Sequence, residues 1–457
     1  MLRSAGIDAT LVGDGLPVPC VDGIARPYLS LDAAASTNAL PAVAERVAAF
    51  LPWYSSVHRG AGYKSQLSTA AYEDSRAAIL AFAGRAGRDD VAIICRNTTE
   101  AINHLAYRLP LRPSDVVVTT VVDHHANLLP WARVATRRFV ECTPDGTFAA
   151  AAVLAALDAE PAPRLLAVTG ASNVTGWLPP LAPIIAGAHE RGVPVLVDAA
   201  QLAPHRPLPA DADFVAFSGH KLYAPFGAGA LIGPRAAFAD GDPFLAGGGA
   251  VDLVDLDEVV WTDPPDREEA GSPNVLGAVA LATAARALPA FGWDRIRSHD
   301  AALAHALRGG LAGIPGVRVL GPGDGTLPIA SFVVDGVPHA LVAARLSAEF
   351  GIGVRHGCFC AHPYLVRLLG LSAAARERFR AAARRHERSA LPGAVRASAG
   401  ISTTLDDIAR LVDALATIVG TEPPARYVRD PHTGDFWPAG MSRPDAALGP
   451  TTGCRRG

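Results

Sequence analysis

The chain has 457 residues, half of them apolar, a formal net charge of −3 and a pI near 6.5, which suits an enzyme with ample core and offers no electrostatic footprint for nucleic acid. The start Met1-Leu2-Arg3-Ser4 lacks the apolar run of an export signal and no stretch reaches membrane-spanning length without charge, so a cytoplasmic protein with no membrane segment is expected. Six cysteines (Cys20, Cys95, Cys142, Cys358, Cys360, Cys454) show no disulfide-framework spacing, as in a reducing compartment.

In chain order, the apolar runs 91–95, 115–120, 164–169, 194–198 and 214–217 read as buried strands, with helices expected at 100–108 and 180–191. Strands alternating with helices predict an α/β fold built on a mainly parallel sheet. After about residue 290 the texture changes to a helix at 298–311, strands at 317–320 and 330–334 and a helix at 338–350. An amphipathic helix at 405–419 with Thr404 as N-cap closes this smaller α+β part. The expected division is a large domain at 31–289, a small domain from 1–30 and 290–425, and an extension at 426–457 whose last part, 438–457, is expected to be poorly ordered.

Only two lysines occur, Lys64 and Lys221, in a chain whose other basic positions are arginine. A desolvated lysine amine can lose its proton and condense with an aldehyde, which arginine cannot, so Lys221 reads as Schiff-base chemistry and pyridoxal phosphate as the aldehyde. Lys64 reads as a loop or surface residue. Asp198 ends the run 193–198 and should emerge at the carboxyl edge of the sheet, where it would keep a pyridinium nitrogen protonated or else cap a following helix. Arg96-Asn97-Thr98-Thr99-Glu100 opens a helix whose amides and hydroxyls suit a phosphate, with Ser218 and His220 completing the shell; a Thr-to-Glu capping box is compatible. His124 follows a strand and could stack on a pyridine ring and move a proton.

The segment 355–363, Arg-His-Gly-Cys-Phe-Cys-Ala-His-Pro, invites a zinc reading, but one short extended stretch does not wrap four alternating side chains into a tetrahedron, so no metal is assigned. Free thiols are expected at Cys358 and Cys360 rather than a strained bridge. Cys360 near Arg355 and two histidines reads as a nucleophile, with an ordinary buried cysteine as the alternative. The glycines at 227–233 enter a strand-like run rather than a helix, which discounts a dinucleotide loop, and Gly247-Gly248-Gly249 reads as a loop near a neighbouring chain's cofactor.

The runs 197–205 and 217–223, with Leu31-Asp32, Val57-His58-Arg59-Gly60, 96–103, 123–131, Ser172-Asn173-Val174, 271–274 and Arg396-Ala397-Ser398, together resemble fold-type I, class V aminotransferase-like enzymes, most closely the SufS-like cysteine desulfurase and selenocysteine lyase branch. The resemblance spans roughly residues 30–420 and implies a seven-stranded-type sheet domain, a pyridoxal 5′-phosphate cofactor and a homodimer. By it, Lys221 would carry the cofactor, Asp198 would pair its ring nitrogen, Gln201 its ring hydroxyl, and His124 would stack on the ring. Thr98, Thr99, Ser218 and His220 would hold the phosphate, joined by Ser272 from the other subunit. Asn173 and Arg396 would take the substrate carboxylate, with Arg355 nearby. Cys360 matches the cysteine that accepts sulfur, and Cys358 falls where that branch often has histidine. The implied reaction turns L-cysteine into L-alanine, with the sulfur left as a persulfide on Cys360 for a sulfur-acceptor protein. Three departures bear on the substrate: Gly170 stands in place of a histidine, the segment between Cys360 and Arg396 is longer and carries an arginine-rich run at 373–388, and 400–404 replaces a Tyr-Asn-Thr motif. They keep open a C–S lyase giving pyruvate and ammonia, or an aminotransferase or epimerase in which Cys360 is structural. Retention of Lys221 and Asp198 speaks against a scaffold protein.

Overall fold

Seven strands make the central sheet of the computed structural model, which describes residues 7–387 and 391–444. They are β1 (Asp90–Cys95), β2 (Val116–Thr120), β3 (Thr136–Val140), β4 (Pro163–Thr169), β5 (Val195–Asp198), β6 (Phe214–Ser218) and β7 (Gly229–Pro234), in the spatial order β1-β7-β6-β5-β4-β2-β3. The run from β3 to β6 is parallel, and β7 lies antiparallel to both β6 and β1. Every residue of β2 and β6 is buried, as expected where helices cover both faces of a sheet. β3 carries no strand signal, because Arg137 and Arg138 interrupt its apolar pattern; it is the sheet edge, where charged side chains reach solvent. In β7, a Cβ on Gly229 would stand 2.6 Å from the Phe217 carbonyl oxygen and 2.8 Å from Asn97 Cα. Gly229 therefore serves close strand packing.

Two long helices lie where no element was read from the sequence: α1 (Tyr63–Phe82) and, later in the chain, Val275–Ala290. The first buries Ser65, Ser68, Ser75 and Arg76 among Tyr72, Ala78 and Ile79, so polar residues interrupt the apolar stripe of its inward face. The second is buried almost all round, so it has no polar face to mark a period. Between them, α2 (Thr98–Arg108) follows β1 and Leu181–His189 follows β4, its Pro180 standing at the N-cap rather than inside the helix.

A second sheet of four antiparallel strands is ordered β8 (Val317–Val319), β9 (Ile329–Val334), β11 (Ala394–Ser398), β10 (Arg355–Gly357). Helices Trp293–Ala312, His339–Phe350 and Leu405–Gly420 pack on it through Leu303, Leu307, Val342, Leu346, Leu411 and Leu415, and Leu29 and Leu31 join the same core. Leu405–Gly420 starts with a reciprocal cap: the Asp407 N–H donates to Thr404 Oγ1 (3.1 Å) and the Thr404 N–H donates to Asp407 Oδ2 (2.9 Å). The arginine-rich run forms helix Ala373–Arg384, shorter than the stretch 373–388, of which residue 388 lies outside the described residues. In the tail, Tyr427–Arg429 pairs with Phe436–Pro438, so ordered backbone reaches into 438–457; residues 445–457, including Cys454, lie outside the described residues. Among the described residues no single helix is long and apolar enough to cross a membrane.

Candidate active site

The carboxyl ends of β1, β2, β4, β5 and β6 meet around a cavity of ≈ 320 Å³ that Lys221, Asp198, His124, Thr98, Arg396 and Cys360 all line. This is the edge at which open α/β sheets bind ligands, because loops diverge there and leave a crevice. Asp198, the last residue of β5, pairs with Thr169 of β4 and Ala216 of β6 and is buried. A turn follows it rather than a helix, so its carboxylate is not a helix cap; Oδ1 accepts the Ala200 N–H at 3.0 Å. Burial pushes this carboxyl up, opposed by that hydrogen bond and by the Lys221 amine.

Lys221 closes the short 3₁₀ turn Gly219–Lys221 after β6. Gly219 is required there, since a Cβ would stand 2.7 Å from the Ala228 carbonyl oxygen. Burial lowers the Lys221 amine to about 8, with Arg396 adding repulsion and Asp198 and Cys360 opposing. The Lys221 amine is thus desolvated and less basic than an ordinary lysine. His124 caps the 3₁₀ turn His125–Asn127, and its Nδ1 accepts the Ala126 N–H at 3.0 Å. Burial, then Lys221, His125 and Arg396, lowers this imidazole to about 3, so the neutral ring carries its proton on Nε2. His220 is likewise lowered to about 4 by burial and Lys221.

At the start of α2 the cap belongs to Asn97, whose Oδ1 accepts the Glu100 N–H at 3.0 Å. The Thr-to-Glu capping box is therefore not formed; Glu100 instead binds the Arg96 side chain (3.0 Å). Thr98 is freed to bind Ser218: its N–H donates to Ser218 Oγ at 2.8 Å and the two hydroxyls lie 2.6 Å apart. With Thr99 and His220 also lining the cavity, hydroxyls, an imidazole and a helix N-terminus share one corner.

The opposite wall comes from the second sheet. Arg396 of β11 is buried, donates to the Asn173 carbonyl oxygen (2.8 Å) and to Asp32 Oδ1 (3.2 Å), and lies over the Phe359 ring at 5.0 Å. Arg355 of β10 binds the other oxygen of Asp32 at 2.9 Å. Asp32 therefore aims both cavity-lining arginines, a task the sequence did not assign to it, since a lone acid between Leu31 and Ala33 gives no local signal. Burial lowers Arg396 to about 10 while Asp32 opposes that shift, and its Nε is buried without a partner. Asn173 Nδ2 donates to the Phe359 carbonyl oxygen at 2.7 Å, and Gln201 Nε2 to that of Ala34 at 2.6 Å.

Cys360 reaches the cavity from a tight turn at 358–361, closed by the Ala361 N–H on the Cys358 carbonyl oxygen (3.0 Å), with Phe359 and Cys360 both left-handed at φ 54° and 52°. Its carbonyl oxygen accepts the His125 N–H at 2.8 Å, and His362 stacks on His125 at 5.1 Å between ring centroids. These contacts tie the Cys360 turn to the His124 loop. The two histidines of 356–362 diverge: His356 meets Asp435 at 3.2 Å while His362 faces His125. Ser272 is exposed and does not line the cavity of its own chain, in contrast to the other expected site residues. It adjoins the exposed glycine loop, whose Gly248 carbonyl oxygen accepts the Gly271 N–H at 2.8 Å. Asp123 was also given no role from sequence; it is buried under the His124 loop, with its two oxygens accepting from Thr119, Thr120 and Asn127.

An amine of low basicity, a buried carboxylate opposite it and a hydroxyl-lined helix N-terminus are the three groups that an aldehyde-bearing pyridine phosphate needs, so these residues fit pyridoxal phosphate. Comparison with known proteins agrees with that chemistry. Residues 29–411 match the Aminotransferase class-V family. The cysteine desulfurase of Dickeya dadantii is 36% identical over 406 residues, covering 86% of this chain and 92% of that protein. A probable cysteine desulfurase of Halobacterium salinarum is 36% identical over 80% of this chain and 90% of its own length. Among solved structures, the cysteine desulfurase CsdA of Escherichia coli, in an S-sulfonic acid form, superposes with a TM-score of 0.72 at 33% identity, over 85% of this chain and 94% of that one. An apo cysteine desulfurase of Thermococcus onnurineus gives 0.76 at 29% identity, over 86% and 95%. The chain belongs to the class V aminotransferase family.

Proposed function

We propose that this protein is a pyridoxal phosphate-dependent cysteine desulfurase, converting L-cysteine to L-alanine and leaving the sulfur on Cys360. One observation carries the reading: a cysteine on a left-handed turn opens into the same cavity as the low-basicity Lys221 and the buried Arg396. When bound, the cofactor supplies an electron sink for charge developing at the substrate Cα, with Asp198 against its ring nitrogen and Thr98, Thr99, Ser218 and His220 around its phosphate. Arg396, aimed by Asp32, receives the substrate carboxylate, and the Asn173 and Arg355 side chains border that position. Lys221 Nζ, able to be neutral near physiological pH, takes the Cα proton and returns one during the reaction. Cys360 Sγ bonds to the substrate sulfur as the Cβ–S bond breaks; Cβ keeps the electron pair and is protonated on the way to alanine. His124 closes the ring face with its Nε2–H available as a donor.

The same reading places Ser272 and the adjoining glycine loop at the cavity of a second copy in a homodimer, hands the sulfur on to an acceptor protein and sets the reaction in the reducing cytoplasm. The test is product analysis of the cofactor-loaded protein with L-cysteine and a reductant, wild type beside Cys360→Ala. Alanine and sulfide, both lost in the variant, support desulfuration. Pyruvate and ammonia that survive the substitution would replace it by C–S lyase chemistry, and a keto acid or an epimer from another amino acid by the aminotransferase or epimerase alternative.

A further inference from the structure

Cys358 is a second thiol at the same turn, and the reaction above leaves it unused. Both central residues of the turn are left-handed, as in a type I′ turn, which folds the chain back within two residues. Cys358 opens the turn and Cys360 is its second left-handed residue, so a single residue separates the two thiols along a chain that doubles back between them. Cα atoms two residues apart in such a turn fall within the roughly 4.4–6.8 Å span that disulfides bridge. Of the other described cysteines, Cys20 and Cys95 are buried, and neither they nor Cys142 line the cavity. The environments of the two thiols differ: Cys360 is exposed at the cavity, while Cys358 is half-buried against the core of the large sheet.

We propose that Cys358 is a resolving thiol that discharges the Cys360 persulfide. The step rests on the cysteine desulfurase reading. Cys358 gives up its proton and its thiolate attacks Cys360 Sγ. The Cys358–Cys360 S–S bond forms, the bond from Cys360 Sγ to the outer sulfur breaks, and that sulfur leaves with the electron pair as hydrosulfide. The two thiols are oxidised to a disulfide and the outer sulfur is reduced to sulfide, so electrons balance within the protein. A cellular dithiol or monothiol reductant then restores both cysteines. A bridge across one intervening residue is strained and correspondingly easy to reduce. Sulfide release is thereby tied to thiol supply: without reductant the enzyme stops after one discharge, in the bridged form.

Burial pushes the Cys358 thiol up; the backbone N–H groups of Cys360 and Cys358 draw it back, and a charged Cys360 opposes its ionisation. The test mixes the holoenzyme with a stoichiometric amount of L-cysteine and no reductant, quenches with an alkylating reagent and measures alanine, free sulfide and the mass of the 358–360 peptide. Wild type is expected to give alanine, matching sulfide and a peptide lighter by two hydrogens with both thiols unalkylated. Cys358→Ser is expected to keep the added sulfur on Cys360, with a persulfide lifetime longer by about tenfold or more, since intramolecular attack is lost. A wild-type peptide that retains its persulfide as long as the variant's, with no bridged form, overturns the resolving role and leaves desulfuration standing. Absence of alanine and of any persulfide in wild type overturns both. The wild-type masses decide the matter alone if Cys358→Ser does not load cofactor.

Discussion

At the scale of single residues, the site is governed by what burial does to charge. Lys221 is lowered to about 8 from an ordinary 10.5, so between those values the folded chain binds fewer protons than the unfolded one. Stability of the cofactor-free protein therefore rises with pH across that window, by on the order of 3 kcal/mol from this group. Lys221→Met keeps the stem without the charge. The variant should melt above the cofactor-free wild type at pH 7, and the advantage should fade as pH climbs past 8 toward about 10. Melting curves at several pH values check this, and a constant difference would contradict it. Lys221 stood out in sequence because only two lysines occur among many arginines, which marks a position where a removable proton would matter. The work of Asp32 was not: its partners Arg355 and Arg396 lie more than three hundred residues away in the chain, and only the fold brings them together.

At the scale of elements, legibility followed pattern. Strands β2, β5 and β6 are continuous apolar runs buried on both faces, and the α/β alternation came directly from them. The last helix was legible through its cap as well as its apolar stripe, since Thr404 and Asp407 complete a capping box. Thr404→Ala should cost about 1 kcal/mol. It should lower the urea midpoint at unchanged slope while sparing the absorbance of bound cofactor. An unshifted midpoint would deny the cap its stabilising role. The elements that escaped notice did so for definable reasons. Helix α1 buries serines and an arginine among Tyr72, Ala78 and Ile79, Val275–Ala290 is buried almost all round, and β3 is an edge with arginines in it. At the start of α2 the residue types were right and the division of labour was not: Asn97 takes the capping duty, which leaves Thr98 to bind Ser218.

At the scale of the whole molecule, the cavity exists because two sheets face it. The parallel sheet contributes Asp198, Lys221, His124 and the α2 N-terminus from its carboxyl edge, and the antiparallel one contributes Arg355, Arg396 and the Cys360 turn. Hydrogen bonds across this junction, from Asn173 to Phe359 and from His125 to Cys360, hold the Cys360 turn in place relative to the lysine. Sequence motifs named these residues from distant parts of the chain, but their convergence is a property of the fold. The most direct measurement is borohydride reduction of the pyridoxal phosphate-loaded protein, which fixes an aldehyde cofactor to the amine it is joined to, followed by peptide mapping. With only two lysines the answer is binary: the cofactor's mass should appear on the peptide containing Lys221, and its appearance on Lys64 or on neither lysine would contradict the account.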